Sequence, residues 1–289
     1  MKTTSGHDLA SARQRVAFQG AAGAFSEEAV RAQFGEECAP VPSRSFEAVG
    51  RTILDGEAEY GLLPVENSLA GTVVGSLDVL STMDLEVVGE VVLLIRHFLM
   101  ALPGSSVDRL RTVQSHPVAL AQCEEFFRRH PALEAVASYD TAGAAREVAE
   151  AGDRTVAAIA PRGAAKMYGL EILLEDLQDR PDNQTRFLVV RARGTGGVPL
   201  SADAPGKAAI LFETRNAPGG LVSVLAPLAA RGMNLAKLDC RPAEVPWSYR
   251  FYAEITFSGG SEALDATLEE IRPLTTRLSL LGSFPPFGG

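Results

Sequence analysis

Arg15-Val16-Ala17-Phe18-Gln19-Gly20-Ala21-Ala22-Gly23-Ala24-Phe25-Ser26-Glu27-Glu28 is the stretch on which the fold of this chain turns. Val16 to Phe18 is a short apolar run of strand type, Gly20 to Gly23 a turn, and Ser26-Glu27-Glu28 a helix start. The serine hydroxyl suits a cap, and the two carboxylates suit the positive end of the helix dipole. Strand, tight turn and helix form the repeating unit of an α/β protein.

The same alternation continues outward. Strands are predicted at Tyr60–Leu63, Val87–Ile95, Ala135–Tyr139, Val156–Ala160 and Phe187–Val190. Between them, Phe46, Val49 and Ile53 share a helical face before Gly56, and Val118, Cys123, Phe126 and Phe127 fit one helix after Pro117. An α/β domain with mainly parallel strands is therefore predicted over residues 15–191. Residues 192–206 are rich in Gly, Pro, Ala and Ser without apolar periodicity and read as a linker, and residues 1–14 as a disordered tail. Residues 207–289 form a second domain: strand Ala208–Phe212, helix Leu221–Arg231, strands Leu235–Cys240 and Tyr249–Thr256, helix Ser261–Thr276, strand Leu278–Leu281. That βαββαβ order is a ferredoxin-like plan, whose small sheet with one helical face suits pairing with another copy.

Composition narrows the function classes. The chain has 289 residues, 46% of them hydrophobic, and a net charge of −9, so it lacks the basic stripe a nucleic-acid surface needs. The longest apolar run, Val87 to Leu102, is broken by Glu90, Arg96 and His97 and falls short of a membrane span. Met1 to Gln14 lack the apolar centre of a secretory signal, and Cys38, Cys123 and Cys240 are odd in number and far apart. A cytoplasmic protein without disulfides or a zinc site is expected.

Four polar clusters, and one further helix start at Gly71, stand at predicted strand or helix mouths. Gly20 to Ser26, with Ala24, Phe25 and Ser26 at its end, gathers backbone N–H groups where an anion is favoured, yet lacks the Lys-Ser/Thr ending of a phosphate loop and the third glycine of a dinucleotide fingerprint. A plain capped turn fits it equally. Pro64-Val65-Glu66-Asn67-Ser68 ends a strand, where ligands of α/β sheets bind, although a surface turn would look the same. Gly71-Thr72-Val73 is a second candidate anion-facing helix start. Ser115-His116-Pro117 opens a helix with Gln122 two turns along. His116 has no carboxylate at fixed spacing and reads as structural, and Cys123 as packing. Finally, Asn183-Gln184-Thr185-Arg186-Phe187 sets a hydroxyl beside a guanidinium after the turn-rich Asp179-Arg180-Pro181-Asp182, a pairing suited to gripping and dehydrating a small carboxylate.

GAAGAFSEEA, PVENSLAGTV, SHPVALAQC, AAIAPRGAAKMYGL and NQTRF, in this order, closely resemble the prephenate dehydratase family over nearly all of residues 15–191. APGGLVSVLAPLAARGMNLAKLDCRP and WSYRFYAEI resemble the ACT regulatory domain that follows the catalytic domain in many such enzymes. The resemblance implies two α/β lobes similar to type II periplasmic binding proteins, with the site in the cleft between them. It implies a carbon–oxygen lyase that turns prephenate into phenylpyruvate, CO₂ and water for phenylalanine synthesis, with no metal or organic cofactor. By motif match, Thr185 assists departure of the ring hydroxyl, and Glu66, Asn67, Ser115 and Gln122 line the cleft. Arg186 supports a substrate carboxylate, with Phe187, Thr72 and the Ala24–Ser26 turn beside it. Glu66, a carboxylate near a dianion, must be protonated, paired, or aimed at a neighbour.

For the regulatory half the resemblance implies L-phenylalanine as effector, held by Gly219, Gly220, Leu221, Val222, Asn234, Asp239, Cys240, Arg241 and Pro242 in a homodimer or homotetramer. The chain departs from the family pattern there: Gly220 stands where Ala is common, and Asp239-Cys240 where Glu-Ser is common, shortening one carboxylate and weakening one hydrogen-bonding group. Val118, near the cleft, stands where Gln is frequent. Two rivals remain open: arogenate dehydratase, the same elimination on the amino analogue, and a non-catalytic small-molecule sensor.

Overall fold

The computed structural model describes residues 13–194 and 205–287. Most of the expected tail and of the expected linker lies outside them. The chain begins β1 (Arg15–Gln19), α1 (Phe25–Phe34), β2 (Ala39–Ser43), α2 (Phe46–Leu54), β3 (Tyr60–Asn67), β4 (Gly71–Thr72), α3 (Val74–Thr82) and β5 (Leu85–Leu94). It continues β6 (Phe98–Ala101), β7 (Thr112–Ser115), α4 (Pro117–Ala121), α5 (Glu124–Arg129), β8 (Glu134–Ala137), α6 (Thr141–Ala151), β9 (Val156–Ala160), α7 (Arg162–Tyr168), β10 (Glu171–Leu174) and β11 (Gln184–Ala192). The last section is β12 (Gly206–Glu213), α8 (Gly220–Ala230), β13 (Asn234–Pro242), β14 (Tyr249–Phe257), α9 (Gly260–Ile271) and β15 (Arg277–Phe284).

Three sheets result: β2-β1-β3-β11-β5 with β4 on β3, β10-β6-β9-β7-β8, and β13-β14-β12-β15. β1 is parallel to β2 and β3, and β7 to β8 and β9. β6, however, runs antiparallel to both β9 and β10, so the expectation of mainly parallel strands is corrected to a mixed sheet. The chain forms two compact units. One takes the described residues to Ser76 together with Val92–Phe187, the other Leu77–Val91 and the described residues from Leu188.

In the first unit, Val16, Ala17, Phe18, Leu62 and Leu63 are fully buried, as expected of strands covered on both faces. Leu99, Val113, Ala157 and Ile159 build a separate core with Cys123 and Phe126 from the helical segment. The single helix expected after Pro117 is two, because Asp179 accepts from the N–H groups of Glu124 (2.9 Å) and Glu125 (3.0 Å) and caps a fresh start at α5.

In the second unit, β12–β15 pack Ala208, Ile210, Phe212, Ala253 and Ile255 against Val224 and Leu228 of α8 and Leu264, Leu268 and Ile271 of α9. Its most consequential polar group is Lys207, buried, whose ammonium lies 2.7 Å from Glu90 and 2.8 Å from Glu254. Tyr252 donates to the other Glu254 oxygen at 2.7 Å. The cation holds two buried carboxylates together, so it is required wherever those carboxylates are ionised.

Candidate functional site

The site is built where β1 and β3 end and β11, α1, α4 and α6 begin, all within the first unit. After β1 the chain turns through Gly20–Ala24. Gly23 has φ +84°, and a Cβ there would stand 2.8 Å from Ala164 Cα, so only glycine permits this approach to α7. The expected Ser26 cap is corrected: Ala24 is the N-cap, and Glu27 reaches back to accept from Gly23 N–H at 2.8 Å. A carboxylate four residues in satisfies the free donor, which leaves the Ser26 hydroxyl on the wall of the cleft.

A chain of side-chain amides crosses the floor. Asn67, at the end of β3, accepts at Oδ1 from the backbone N–H groups of Leu69 (3.0 Å) and Ala70 (2.8 Å). Those donors fix the orientation of the amide, so its Nδ2 must donate, and it lies 3.0 Å from Thr185 Oγ1, 2.8 Å from Asn183 Oδ1 and 3.1 Å from Gln184 O. Thr185 therefore accepts from Asn67 and keeps its own O–H proton, which has no acceptor among the described residues. Next in the chain, Asn183 Nδ2 donates to Gln122 Oε1 at 2.9 Å. The His97 Nε2 atom also lies 2.9 Å from Gln122 Oε1, and since that oxygen only accepts, the His97 proton sits on Nε2. Burial holds the His97 imidazole below its usual range, a direction only partly offset by this hydrogen bond, and its Nδ1 has no partner.

Thr185, Asn67, Gln122, Phe187, Thr72, Ala24, Phe25 and Ser26 all line one cavity of about 500 Å³, a volume suited to a small molecule. Three predicted residues are placed elsewhere. Ser115 is fully buried and donates to Ile159 O at 2.6 Å, since β7 and β9 are neighbours and the hydroxyl faces the next strand. Arg186 and Glu66 do not line the cavity; their side chains pair at 2.9 Å. Side chains alternate along a strand, so with Thr185 and Phe187 on the cleft face, Arg186 takes the other one. His116 lines the cavity as well, with Nδ1 accepting from Val118 N–H at 3.2 Å, a cap that leaves its proton on Nε2. The thiol of Cys123 is pushed up to about 12, chiefly by burial, and is no nucleophile.

The electrostatics follow from this list. Among the described residues no Lys or Arg lines the cavity, and Asp140 is its one charged side chain. Asp140 caps α6 through Gly143 N–H and accepts from Ala21 N–H at 3.2 Å, so its oxygens are already engaged. What the cavity offers is neutral donors, Thr185 O–H, His116 Nε2–H and the Gln122 amide, beside the positive ends of α1 and α6. Such a site can hold carboxylates and supply a proton to a leaving oxygen. Sequence reasoning gave His97 no role in the site and read Asn183 only as part of the polar approach to Thr185; the available signal was a histidine interrupting the apolar run from Val87.

The predicted effector residues lie in the second unit. Gly219 is left-handed at the N-cap of α8, followed by Gly220, whose Cβ would meet Arg215 O at 2.5 Å. Leu221 and Val222 begin the helix, and Asn234 opens β13. Asp239 pairs with Lys237 at 2.9 Å, Cys240 is exposed, and Arg241, followed by Pro242, reaches Asp78 at 3.2 Å.

A family model described as prephenate dehydratase matches residues 16–195. An Arabidopsis thaliana chloroplastic protein named arogenate dehydratase/prephenate dehydratase 2 is 38% identical over 94% of this chain and 73% of its own length. The solved structure of a prephenate dehydratase from Arthrobacter aurescens in complex with L-Phe superposes with a TM-score of 0.85 at 26% identity, covering 94% of this chain and 89% of that one. A structure described as a novel type of quorum-quenching acylase superposes at 0.86 with 33% identity, covering 95% and 99%.

Proposed function

The chain belongs to the prephenate dehydratase family, and from that premise we propose that its cleft binds prephenate and eliminates carboxylate and hydroxide together to give phenylpyruvate. The C–CO₂⁻ bond breaks to release CO₂, and its electron pair completes the aromatic ring. The C–O bond at the opposite ring position breaks, and hydroxide leaves as water on taking one proton. The observation that carries this reading is the Asn67–Thr185 contact at 3.0 Å: the hydroxyl oxygen is already occupied as an acceptor, so its proton faces the cavity. Thr185 donates a strengthening hydrogen bond as negative charge builds on the departing oxygen, or relays a proton to it. Gln122, His116 and the helix ends hold the carboxylates, and orientation supplies much of the remaining acceleration.

Glu66 neutralises Arg186 behind the cleft floor and stiffens the start of β11, which supports the position of Thr185 without touching substrate. The catalytic domain is residues 15–191, with lobes of type II periplasmic-binding-protein kind. Residues 207–289 form an ACT domain in a homodimer or homotetramer, in a cytoplasmic enzyme without metal or organic cofactor. L-Phenylalanine is the effector, a reading supported by the L-Phe complex of the Arthrobacter aurescens relative, and its place is the turn before α8 with Asp239–Pro242.

The relatives bring one further substrate and one further activity. The Arabidopsis protein's name carries arogenate, which differs from prephenate by an amino group in place of the keto oxygen. The acylase description is less well matched, because the partner of the Thr185 hydroxyl is an amide rather than a base able to activate a nucleophile. The test is incubation of the protein with prephenate and arogenate in parallel, with and without L-phenylalanine. Phenylpyruvate from prephenate above the spontaneous rate, lowered by L-phenylalanine, is expected. Turnover of arogenate alone replaces the substrate, and no aromatic product above the spontaneous rate from either one overturns the reading.

A further inference from the structure

We propose that His97 and Asn183 are positioning residues that lock the Gln122 side-chain amide with both N–H bonds turned to the cleft. The polarity of the whole chain is set at one end by backbone N–H groups, which can only donate. Leu69 and Ala70 fix Asn67, Asn67 fixes Asn183, and Asn183 fixes Gln122. His97 closes the other end by donating its Nε2–H to the same Gln122 oxygen. That oxygen is thus consumed twice, and the Gln122 Nε2 donors have no acceptor among the described residues.

Turning the amide over would set N–H against N–H at both contacts and aim an acceptor at the substrate. In a cavity with no lining cation, an inward-facing carbonyl would oppose a dianion, so the lock is a requirement for binding rather than a packing detail. His97 suits the task because it is 1% exposed and packs edge-on against Phe25 at 5.4 Å between ring centroids, which leaves it little rotational freedom. Its lone Nδ1 is the cost of the arrangement, a buried acceptor left without a donor.

The inference rests on the dehydratase reading for its kinetic consequence but not for its geometry. Substituting His97→Leu removes the donor together with the orphaned acceptor, so the thermal midpoint should not fall. Loss of half the lock should raise KM for prephenate about tenfold while kcat falls by less than about threefold, the pattern of weakened binding common to ground and transition states. His97→Gln keeps an amide N–H within reach of Gln122 and should restore KM to within about threefold of wild type.

Histidine ¹⁵N spectra of the wild-type protein give an independent readout, with His97 expected as the neutral Nε2–H tautomer near pH 7. An Nδ1–H tautomer overturns the proposal whatever the activity. So does an unchanged KM in His97→Leu, or equal losses in both variants accompanied by a lower midpoint, which would indicate packing alone. A wild-type protein inert toward prephenate and arogenate removes the dehydratase reading instead, and the tautomer still decides the lock.

Discussion

Thr185→Val is the substitution that separates the hydroxyl's chemistry from its place in the fold. Valine keeps the β-branched shape on β11 and removes only the O–H. Asn67 Nδ2 has two protons and, without Thr185, still two acceptors, Asn183 Oδ1 at 2.8 Å and Gln184 O at 3.1 Å. No buried donor is orphaned, so the stability change should stay within about 1 kcal/mol, the net worth of one ordinary hydrogen bond. The transition state loses far more, because the departing oxygen has then to collect its proton without a positioned donor. A loss of about 10²–10⁴ in kcat is the usual scale for such assistance, equivalent to about 2.7–5.4 kcal/mol at 1.36 kcal/mol per tenfold. KM should move by less than about threefold, since the carboxylates are held by other groups. Thr185→Ser retains the hydroxyl with a freer side-chain torsion and should remain within about tenfold of wild type. Phenylpyruvate formation followed by absorbance, beside thermal melts monitored by circular dichroism, measures both quantities. If Thr185→Val turns over within tenfold of wild type while melting normally, the proton does not come through this hydroxyl and the assignment fails.

Other consequences are as open to test. Lys207→Met leaves Glu90 and Glu254 buried without their cation and should cost about 3–5 kcal/mol in chemical denaturation at pH 7. Gln122→Glu puts a carboxylate where an amide faces a dianion, so KM for prephenate should rise about a hundredfold or more, read from initial rates. Gly23→Ala meets both a left-handed φ and the backbone of Ala164, and a loss of about 2 kcal/mol or more is expected in thermal or denaturant unfolding. The raised Cys123 thiol is protonated throughout the neutral range and ionises only around pH 12, so alkylation at pH 8 should label exposed Cys240 and spare Cys123 in mass spectra of the folded protein.

What the sequence made legible was what depends on neighbours along the chain. β1, α2, β9 and the βαββαβ order of the last section follow from local apolar period and turn chemistry, and the structure places them within a few residues of where that period puts them. β2 was missed because Ala39-Pro40-Val41-Pro42-Ser43 carries two prolines, which demote a run to loop unless it is an edge strand. β2 is an edge strand, paired on one side with β1. The break between α4 and α5 was hidden for a different reason, since the carboxylate that restarts the helix belongs to Asp179, 55 residues beyond Glu124 in the chain.

The same distinction governs the site. Thr185, Asn67 and Gln122 were readable because each stands at an element boundary, where α/β proteins gather chemistry. Whether Arg186 faced the cleft was not readable, because the residue types beside Thr185 do not say which strand face is buried against what. In the structure the guanidinium is withdrawn to Glu66, and the cavity presents uncharged donors. This changes how a dianion is to be recognised there. With cations in the lining, attraction would persist whatever way a neighbouring amide pointed. Without them, each donor's direction decides whether it attracts or repels, and direction is supplied by the hydrogen bonds that hold each amide oxygen: Leu69 and Ala70 N–H on Asn67, Asn183 and His97 on Gln122. Those residues span positions 67 to 183, and no local pattern connects them.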